Sequence, residues 1–283
     1  MVIIDAQVHA YERDHPGRPW IRHLHGPPQV TSGDMVAAMD AVGVDGALLV
    51  SPYTLYGFDA SYAVQAGAEF PDRFGLIAPM DSRREDVADE VAAWAATPGA
   101  VGVRLMMWGD VGRSADDAGV DRVFRAAAQQ GLPLCVLGWG RLDVLDELAR
   151  RHPNTQIVVD HLGLHQPFEP PVPSEPFADL AQLLSLGRNG NVAVKITGAC
   201  TLSHEAFPFV DLRAPLERIF TTFGFDRCLW GTDWTRATGL VTYANGVDAF
   251  LAPDWLSDTE RAVLMGGALT RIFNWSPSPS PTR

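Results

Sequence analysis

The sequence has few basic residues, and this shortage limits the partners it can bind. Among 283 residues there are 22 Lys and Arg against 34 Asp and Glu, which gives a formal net charge of −12 at pH 7. Proteins that bind nucleic acids need a basic surface, because phosphate contacts supply much of the affinity. The composition therefore argues against a nucleic-acid partner.

Long apolar runs and an even number of cysteines are also lacking. No apolar run approaches the roughly 20 residues that span a bilayer, and Met1 is followed at once by VIIDAQVHA. We therefore expect neither a membrane anchor nor an export signal. The three cysteines, Cys135, Cys200 and Cys228, lie in or beside apolar, strand-like segments. They predict free thiols in a cytoplasmic protein.

The sequence does contain a regular alternation of short apolar runs with segments of helical periodicity. Such alternation favours βα units around a parallel sheet. Eight apolar runs would close a (β/α)8 TIM barrel, and the chain length fits one such domain, with a doubly wound open sheet as the main alternative. We assign residues 1–275 to this single domain and residues 276–283, which contain SPSPSPTR, to a disordered tail. The eight runs begin at Val2, Gly46, Phe74, Ala100, Pro133, Gln156, Val192 and Cys228.

Local signals refine this interpretation at two places. Ser32 precedes a segment with apolar positions three and four apart, and Gly43 follows it, which predicts a helix between them. The segment from Gln166 to Pro176 is too rich in proline for regular structure. It follows the sixth strand, and we predict a long loop over the barrel mouth.

Polar residues at the carboxyl ends of several predicted strands suggest an active site. In (β/α)8 barrels these ends surround the active site, and buried polar groups are costly unless they are paired or functional. Side-chain alternation would place Asp5, Gln7 and His9 on one face of the first strand. The other strand-end candidates are Arg104 and Met106, His161, Lys195 and Thr197, and Asp233.

Each candidate also has a structural explanation. Arg104 and Lys195 could neutralise a neighbouring carboxylate instead of binding substrate. His23 and His25 lie in a polar loop whose default state is a solvated surface, although the loop could reach the mouth. Trp108, Trp139 and Trp234 follow strand ends and could either wall a pocket for a flat ligand or pack on the barrel rim.

The ordered motifs resemble the amidohydrolase superfamily. IDAQVHA is similar to the IDxHxH start of that family, and DHLG from Asp160 and WGTDW from Trp230 resemble its sixth- and eighth-strand signatures. GVRL and VKITG resemble a narrower branch that contains sugar-lactone and 2-pyrone-4,6-dicarboxylate lactonases. The resemblance implies a (β/α)8 barrel that hydrolyses esters, lactones or amides with activated water, often with a divalent metal.

The sequence departs from the family pattern at two metal-ligand positions. Gln7 replaces the first histidine of HxH, and Leu137 stands where many members carry a fifth-strand histidine. A binuclear site is excluded, because only His9, His161 and Asp233 keep suitable chemistry. We favour a metal-free site, with one Zn or Mn held by these three residues as the alternative.

These observations predict a hydrolase that opens a lactone or related cyclic ester. Asp233 would activate water after partial burial raises its pKa, while His161 and His9 would stabilise the oxyanion. Arg104, Lys195 and Gln7, with the three tryptophans, would bind a small anionic substrate. A metal-dependent hydrolase or decarboxylase, and an inactive metabolite-binding barrel, remain alternatives. A homo-oligomer is compatible with the sequence.

Overall fold

The polypeptide closes eight parallel strands into a barrel. The computed structural model describes residues 1–108 and 111–278, and the strands follow one another around the sheet in chain order. This order excludes a doubly wound sheet, in which the order reverses at a switch point. The strands are β1 (Ile4–Val8), β2 (Gly46–Val50), β3 (Phe74–Pro79), β4 (Ala100–Met106), β5 (Leu134–Leu137), β6 (Ile157–Val159), β7 (Val192–Lys195) and β8 (Cys228–Leu229).

Backbone hydrogen bonds close the barrel between β1 and the segment after β8. The Ala6 amide donates to the Trp230 carbonyl at 3.0 Å, and the Asp233 amide donates to the Gln7 carbonyl at 3.1 Å. All eight predicted strands are confirmed, and the observed fold is a (β/α)8 barrel. Asp233 is thereby fixed directly beside the end of β1.

Helices between the strands cover the outside of the barrel. None of them, within the described residues, has both the length and the apolar character needed to cross a membrane. The helices are α1 (Ser32–Val42), α2 (Tyr53–Tyr56), α3 (Ser61–Glu69), α4 (Val87–Ala95), α5 (Ala118–Gln130), α6 (Leu142–Arg151), α7 (Leu180–Leu186), α8 (Arg213–Phe223), α9 (Tyr243–Leu251), α10 (Asp258–Ala262) and α11 (Ala268–Phe273).

The first helix begins one residue earlier than its sequence signal indicates. Thr31, not Ser32, is the N-cap: its hydroxyl accepts from the Asp34 amide, and the Asp34 carboxylate accepts from the Thr31 amide. The Ser32 hydroxyl instead donates to Glu69. Gly43 ends the helix with a φ of 74°, as predicted.

The barrel interior is apolar at its amino-terminal end and polar at its carboxyl end. Leu269 and Phe273 of α11 close the lower end against the interior apolar side chains. This layering leaves the polar side chains at the mouth. Beyond α11, the Ser278 amide and hydroxyl donate to the carbonyl and carboxylate of Asp72. Of the tail predicted for residues 276–283, residues 279–283 lie outside the described part. The interior apolar layer consists of Ile4, Ala6, Leu48, Val50, Ile77, Cys135, Val158, Ala193 and Leu229.

Candidate active site

A register shift in β1 turns Gln7 and His9, but not Asp5, toward the barrel mouth. The pairing with β2 is irregular between Asp5 and Val8. As a result, Ile4 and Ala6 belong to the interior layer, while Asp5 accepts hydrogen bonds from the Thr232 amide and hydroxyl. The predicted alternation of Asp5 with Gln7 and His9 was therefore wrong for Asp5, because a bulge changes which face a residue occupies.

Beneath the mouth lies a buried ionic network centred on Asp160. Arg104 Nε donates to Asp160 Oδ2 at 2.7 Å, and Lys195 Nζ lies 2.9 Å from Asp160 Oδ1 and 2.7 Å from Gln7 Oε1. Burial alone would raise the pKa of Asp160, but the charges of Lys195 and Arg104 outweigh it and hold that pKa well below its usual range. The network therefore carries one carboxylate and two cations.

Asp233 lies between two histidines. His9 Nε2 is 3.3 Å from Asp233 Oδ1, and His161 Nε2 is 3.8 Å from Oδ2. His9 Nδ1 lies 2.7 Å from the Val50 carbonyl, so this nitrogen must carry a hydrogen, because a carbonyl only accepts. Gln7 Oε1 is bonded to Lys195, which turns the amide nitrogen toward His9 Nε2 at 3.4 Å.

The backbone at the two central residues is in a conformation that side chains disfavour. His161 and Asp233 have φ values of 53° and 51°, and Leu162, next to His161, has 61°. A non-glycine residue in this region costs of order 1–3 kcal/mol, and such residues cluster at functional sites. The neighbouring β-strands fix these turns, so that both side chains face one point at the mouth.

The protonation of the pair differs from what the sequence suggested. Burial lowers the pKa of His161 to about 4, so its imidazole is neutral at pH 7. Burial also acts to raise the pKa of Asp233, as predicted, but His161, Arg236 and His9 outweigh it and hold this pKa well below the usual value. The predicted raised pKa was therefore wrong, because sequence analysis did not count these neighbours. Asp233 is a carboxylate at neutral pH.

A cavity of about 380 Å³ opens above these residues. His9 and Arg104 form part of its floor, and Trp108 and Trp139, with ring centroids 6.1 Å apart, form part of its wall. The indole nitrogens of both tryptophans are buried without a hydrogen-bond partner among the described residues. The cavity therefore combines flat apolar walls with hydrogen-bond donors that a ligand can use.

Three residues predicted to bind substrate lie elsewhere. Lys195, the only lysine of the chain, is fully buried in the Asp160 network, below the cavity lining. Gln7 is also fully buried there, and its side-chain nitrogen contacts His9 Nε2. Trp234 stacks on Tyr243 with ring centroids 5.1 Å apart, away from the cavity.

Several cavity residues were not identified from the sequence. Arg236, one turn after Asp233, lines the cavity and has its Nη1 3.5 Å from Asp233 Oδ2. Phe168, from the proline-rich loop, lies against this guanidinium, which is 4.0 Å from its ring centroid. A positive residue three positions after the strand-end carboxylate was the available signal. By contrast, the sequence analysis named His23 and His25 in a loop that could reach the mouth, and both line the cavity, where His25 stacks on Phe168.

The part of the chain that the structure describes does not form a metal site. His9, His161 and Asp233 are the available donors, yet no group of three or more His, Cys, Asp or Glu in residues 1–108 and 111–278 is arranged to hold a metal ion. Asp233 already faces the cationic Arg236. A metal ion bound by Asp233 would therefore meet the positive charge of this guanidinium.

A second cavity, of about 500 Å³, lies between α8 and α9 on the outer surface. Phe209, Leu216 and Phe250 line it, together with the charged Arg213 and Asp248. It is larger than the cavity at the barrel mouth, but none of the strand-end candidates lines it, and it lacks the convergent buried polar groups found at the mouth. The candidate active site is therefore the cavity at the mouth.

Comparisons with known proteins match one family model and several named relatives. A family model described as "Amidohydrolase" matches residues 4–275. A 4-sulfomuconolactone hydrolase from Rhizobium radiobacter is 29% identical over 242 residues, which cover 78% of this chain and 77% of that protein. A D-galactarolactone isomerase from Agrobacterium fabrum is 27% identical over 264 residues, covering 90% and 85%.

Solved structures share the fold. A crystal structure from Acinetobacter baumannii, described as a "probable 2-pyrone-4,6-dicarboxylic acid hydrolase", superposes with a TM-score of 0.77. It is 21% identical and covers 97% of this chain and 100% of its own. This likeness supports the barrel architecture.

Proposed function

The chain belongs to the amidohydrolase family, whose model matches residues 4–275, and from this premise we propose that it hydrolyses a small anionic lactone without a metal. The observation that carries the proposal is the placement of Asp233 between His9 and His161, directly behind the His9 and Arg236 side chains that line a donor-rich cavity. The names of the relatives, a lactone hydrolase and a lactone isomerase, support a lactone substrate.

Asp233 acts as the general base. It is ionised at neutral pH, which is the state that accepts a proton from water, although its neighbours make it a weak base in the free enzyme. Attack on the ester carbonyl places negative charge on the adjacent carbonyl oxygen. This charge raises the proton affinity of the carboxylate as the transition state forms. Asp233 then returns the proton to the ring oxygen as the C–O bond breaks.

Of the two histidines, His161 stabilises the oxyanion. His161 Nδ1 is 2.9 Å from the Thr197 hydroxyl. When this hydroxyl donates to Nδ1, the hydrogen of the neutral ring lies on Nε2, which has no other hydrogen-bond partner among the described residues. Nε2 can then donate to the developing charge, and one such donor contributes roughly 3–4 kcal/mol.

Arg104 binds an acidic group of the substrate. Its Nε is bonded to Asp160, while its Nη2 is buried without a partner in the described part of the chain. An unpaired guanidinium hydrogen beside a cavity suits a carboxylate or sulfonate oxygen. The ring of the lactone would lie along Trp108 and Trp139.

The test is a panel of carboxylated and neutral lactones assayed with and without chelator, with products identified by mass. Wild-type protein should open at least one carboxylated lactone in chelator, and Asp233→Asn should lower kcat at least a thousand-fold while keeping the fold. Activity within a few-fold of wild type in Asp233→Asn would exclude Asp233 as the base.

The same panel separates the alternatives. Activity lost in chelator and restored by Zn or Mn would favour a metal-dependent hydrolase or decarboxylase. A product of unchanged mass would indicate lactone isomerisation. Binding without turnover of any lactone would favour an inactive metabolite-binding barrel.

A further inference from the structure

Arg236 covers the carboxylate that the proposed reaction needs. Its Nη1 is 3.5 Å from Asp233 Oδ2, and Asp233 Oδ1 is buried with no hydrogen-bond partner among the described residues. Both Arg236 and His9 line the cavity and contact Asp233, whereas Asp233 itself lies behind them. From this cavity, water or substrate therefore reaches Asp233 past these two side chains.

Arg236 is also incompletely satisfied in this position. Its Nε is buried without a hydrogen-bond partner in residues 1–108 and 111–278, and its contact with Asp233 is longer than a good charged hydrogen bond. The guanidinium plane is carried on the Phe168 ring at 4.0 Å. A ring face holds a cation without fixing one direction, so the guanidinium can turn there at little cost.

The charges around the cavity favour a rotation of the Arg236 side chain when an anion binds. Arg104 and Arg236 both face it, and no Asp or Glu is among the described residues that line it. Burial lowers the pKa of Arg236, and the charge of Arg104 acts in the same direction, as expected for two cations that face the same cavity. An anion between them relieves the repulsion.

Resting on the lactonase function proposed above, we propose that Arg236 determines specificity by a charge exchange. An acidic group carried beside the scissile ester draws the guanidinium off Asp233 and thereby opens the carboxylate to the cavity. Neutral lactones leave Arg236 in place. Selection for acidic lactones is then expressed in kcat as well as in KM.

The test compares two lactones with the same ring, one with and one without a carboxylate beside the ester, in wild type, Arg236→Met and Arg236→Lys. Arg236→Met should lower kcat/KM at least ten-fold for the carboxylated lactone and leave it unchanged or higher for the neutral one. Arg236→Lys should recover part of the preference, because it keeps the charge. The matched control is Arg213→Met, which removes an arginine from the outer surface that lies 5.9 Å from the Trp255 ring centroid. It should leave kcat/KM unchanged for both lactones.

An equal loss for both lactones in Arg236→Met would overturn the proposal, since it would indicate a general structural role. Thermal melting of each variant confirms folding.

A separate experiment measures by calorimetry the binding of benzene-1,3-dicarboxylate, which cannot be hydrolysed. Its Kd should rise at least ten-fold in Arg236→Met. If wild type opens no lactone but this shift is seen, the lactonase function fails while Arg236 keeps its anion-binding role. An unchanged Kd would exclude that role.

Discussion

At the scale of single residues, the site separates its charges by depth. Asp160, Arg104 and Lys195 form a buried layer in which one carboxylate is shared by two cations, and Asp233 sits above it. Isolated buried charges cost several kcal/mol, so each cation must have a partner or be available to a ligand. Lys195 has two partners, whereas Arg104 keeps one unpaired nitrogen. Lys195 therefore only stabilises the buried network, whereas Arg104 can also bind a ligand.

Arg104→Met should mainly raise KM for a carboxylated lactone, by about ten-fold or more, because the variant loses one charge-assisted hydrogen bond worth roughly 1.5–3 kcal/mol. It also leaves Asp160 with Lys195 alone, so some loss of stability is expected. Steady-state kinetics on the carboxylated and neutral lactones checks this. An unchanged KM for the carboxylated lactone would remove Arg104 from substrate recognition.

Lys195 should be inaccessible to amine reagents in the folded protein. It is the only lysine in the sequence and is fully buried between Asp160 and Gln7. After brief treatment with acetic anhydride, the peptide containing Lys195 should be unmodified in buffer and acetylated in concentrated urea, as measured by mass spectrometry. Rapid acetylation in buffer would show that Lys195 reaches the cavity.

At the scale of elements, the strands were predictable and the details of their ends were not. Apolar runs of four to eight residues identify buried parallel strands, because both faces of such strands are covered. The bulge after Asp5 depends on pairing with β2, and the low pKa of Asp233 depends on charges brought from β1, β6 and the turn after β8. Such properties arise from contacts between distant residues, which one sequence does not display.

The proline-rich loop is anchored at its first residue. Gln166 Nε2 donates to the Thr197 carbonyl at 2.8 Å, and the loop then carries Phe168 to Arg236. Gly198 leaves the space for this anchor, since a methyl group there would lie 2.0 Å from Gln166 Oε1. The loop, predicted to lie over the mouth, thus contributes a ring that supports a cavity residue.

Gly198→Ala should therefore impair both stability and activity. Gly198 has a φ of 69°, and the added methyl group would displace Gln166 in addition to straining the backbone. Gly131→Ala is the matched control, because Gly131 has a φ of 66° and open space around it. Both variants should lose about 1–2 kcal/mol from backbone strain, measured by urea unfolding. Only Gly198→Ala should also lower kcat/KM, and equal activity in the two variants would contradict the anchoring role.

At the scale of the whole molecule, a net charge of −12 surrounds a cationic cavity. The negative surface repels an acidic substrate at long range, and the arginines at the mouth attract it only locally.

The barrel also contains two buried groups, Asp5 and His161, whose pKa values are shifted by burial in opposite directions. The sum of their contributions affects how the free energy of unfolding changes with pH.

Asp5 and His161 should give opposing contributions to stability between pH 4 and pH 6. Burial lowers the pKa of His161 to about 4, so the unfolded chain binds this proton first and stability falls as pH falls from about 6.5 to 4. Burial raises the pKa of Asp5 to about 6, so the folded chain binds its proton first and stability falls as pH rises from about 4 to 6. The two slopes oppose each other in the wild type.

Single variants should reveal each slope. Asp5→Asn keeps an oxygen for the Thr232 and Gln7 amides but removes the titration, so its stability relative to wild type should rise with pH between 4 and 6. His161→Gln should show the reverse trend. Urea unfolding at closely spaced pH values measures both differences. Because unfolding free energies are compared at each pH, a constant loss of packing only displaces the curve, and the slope reports the titrating group. Parallel curves for either variant and wild type would show that the group has the same pKa in the folded and unfolded chain.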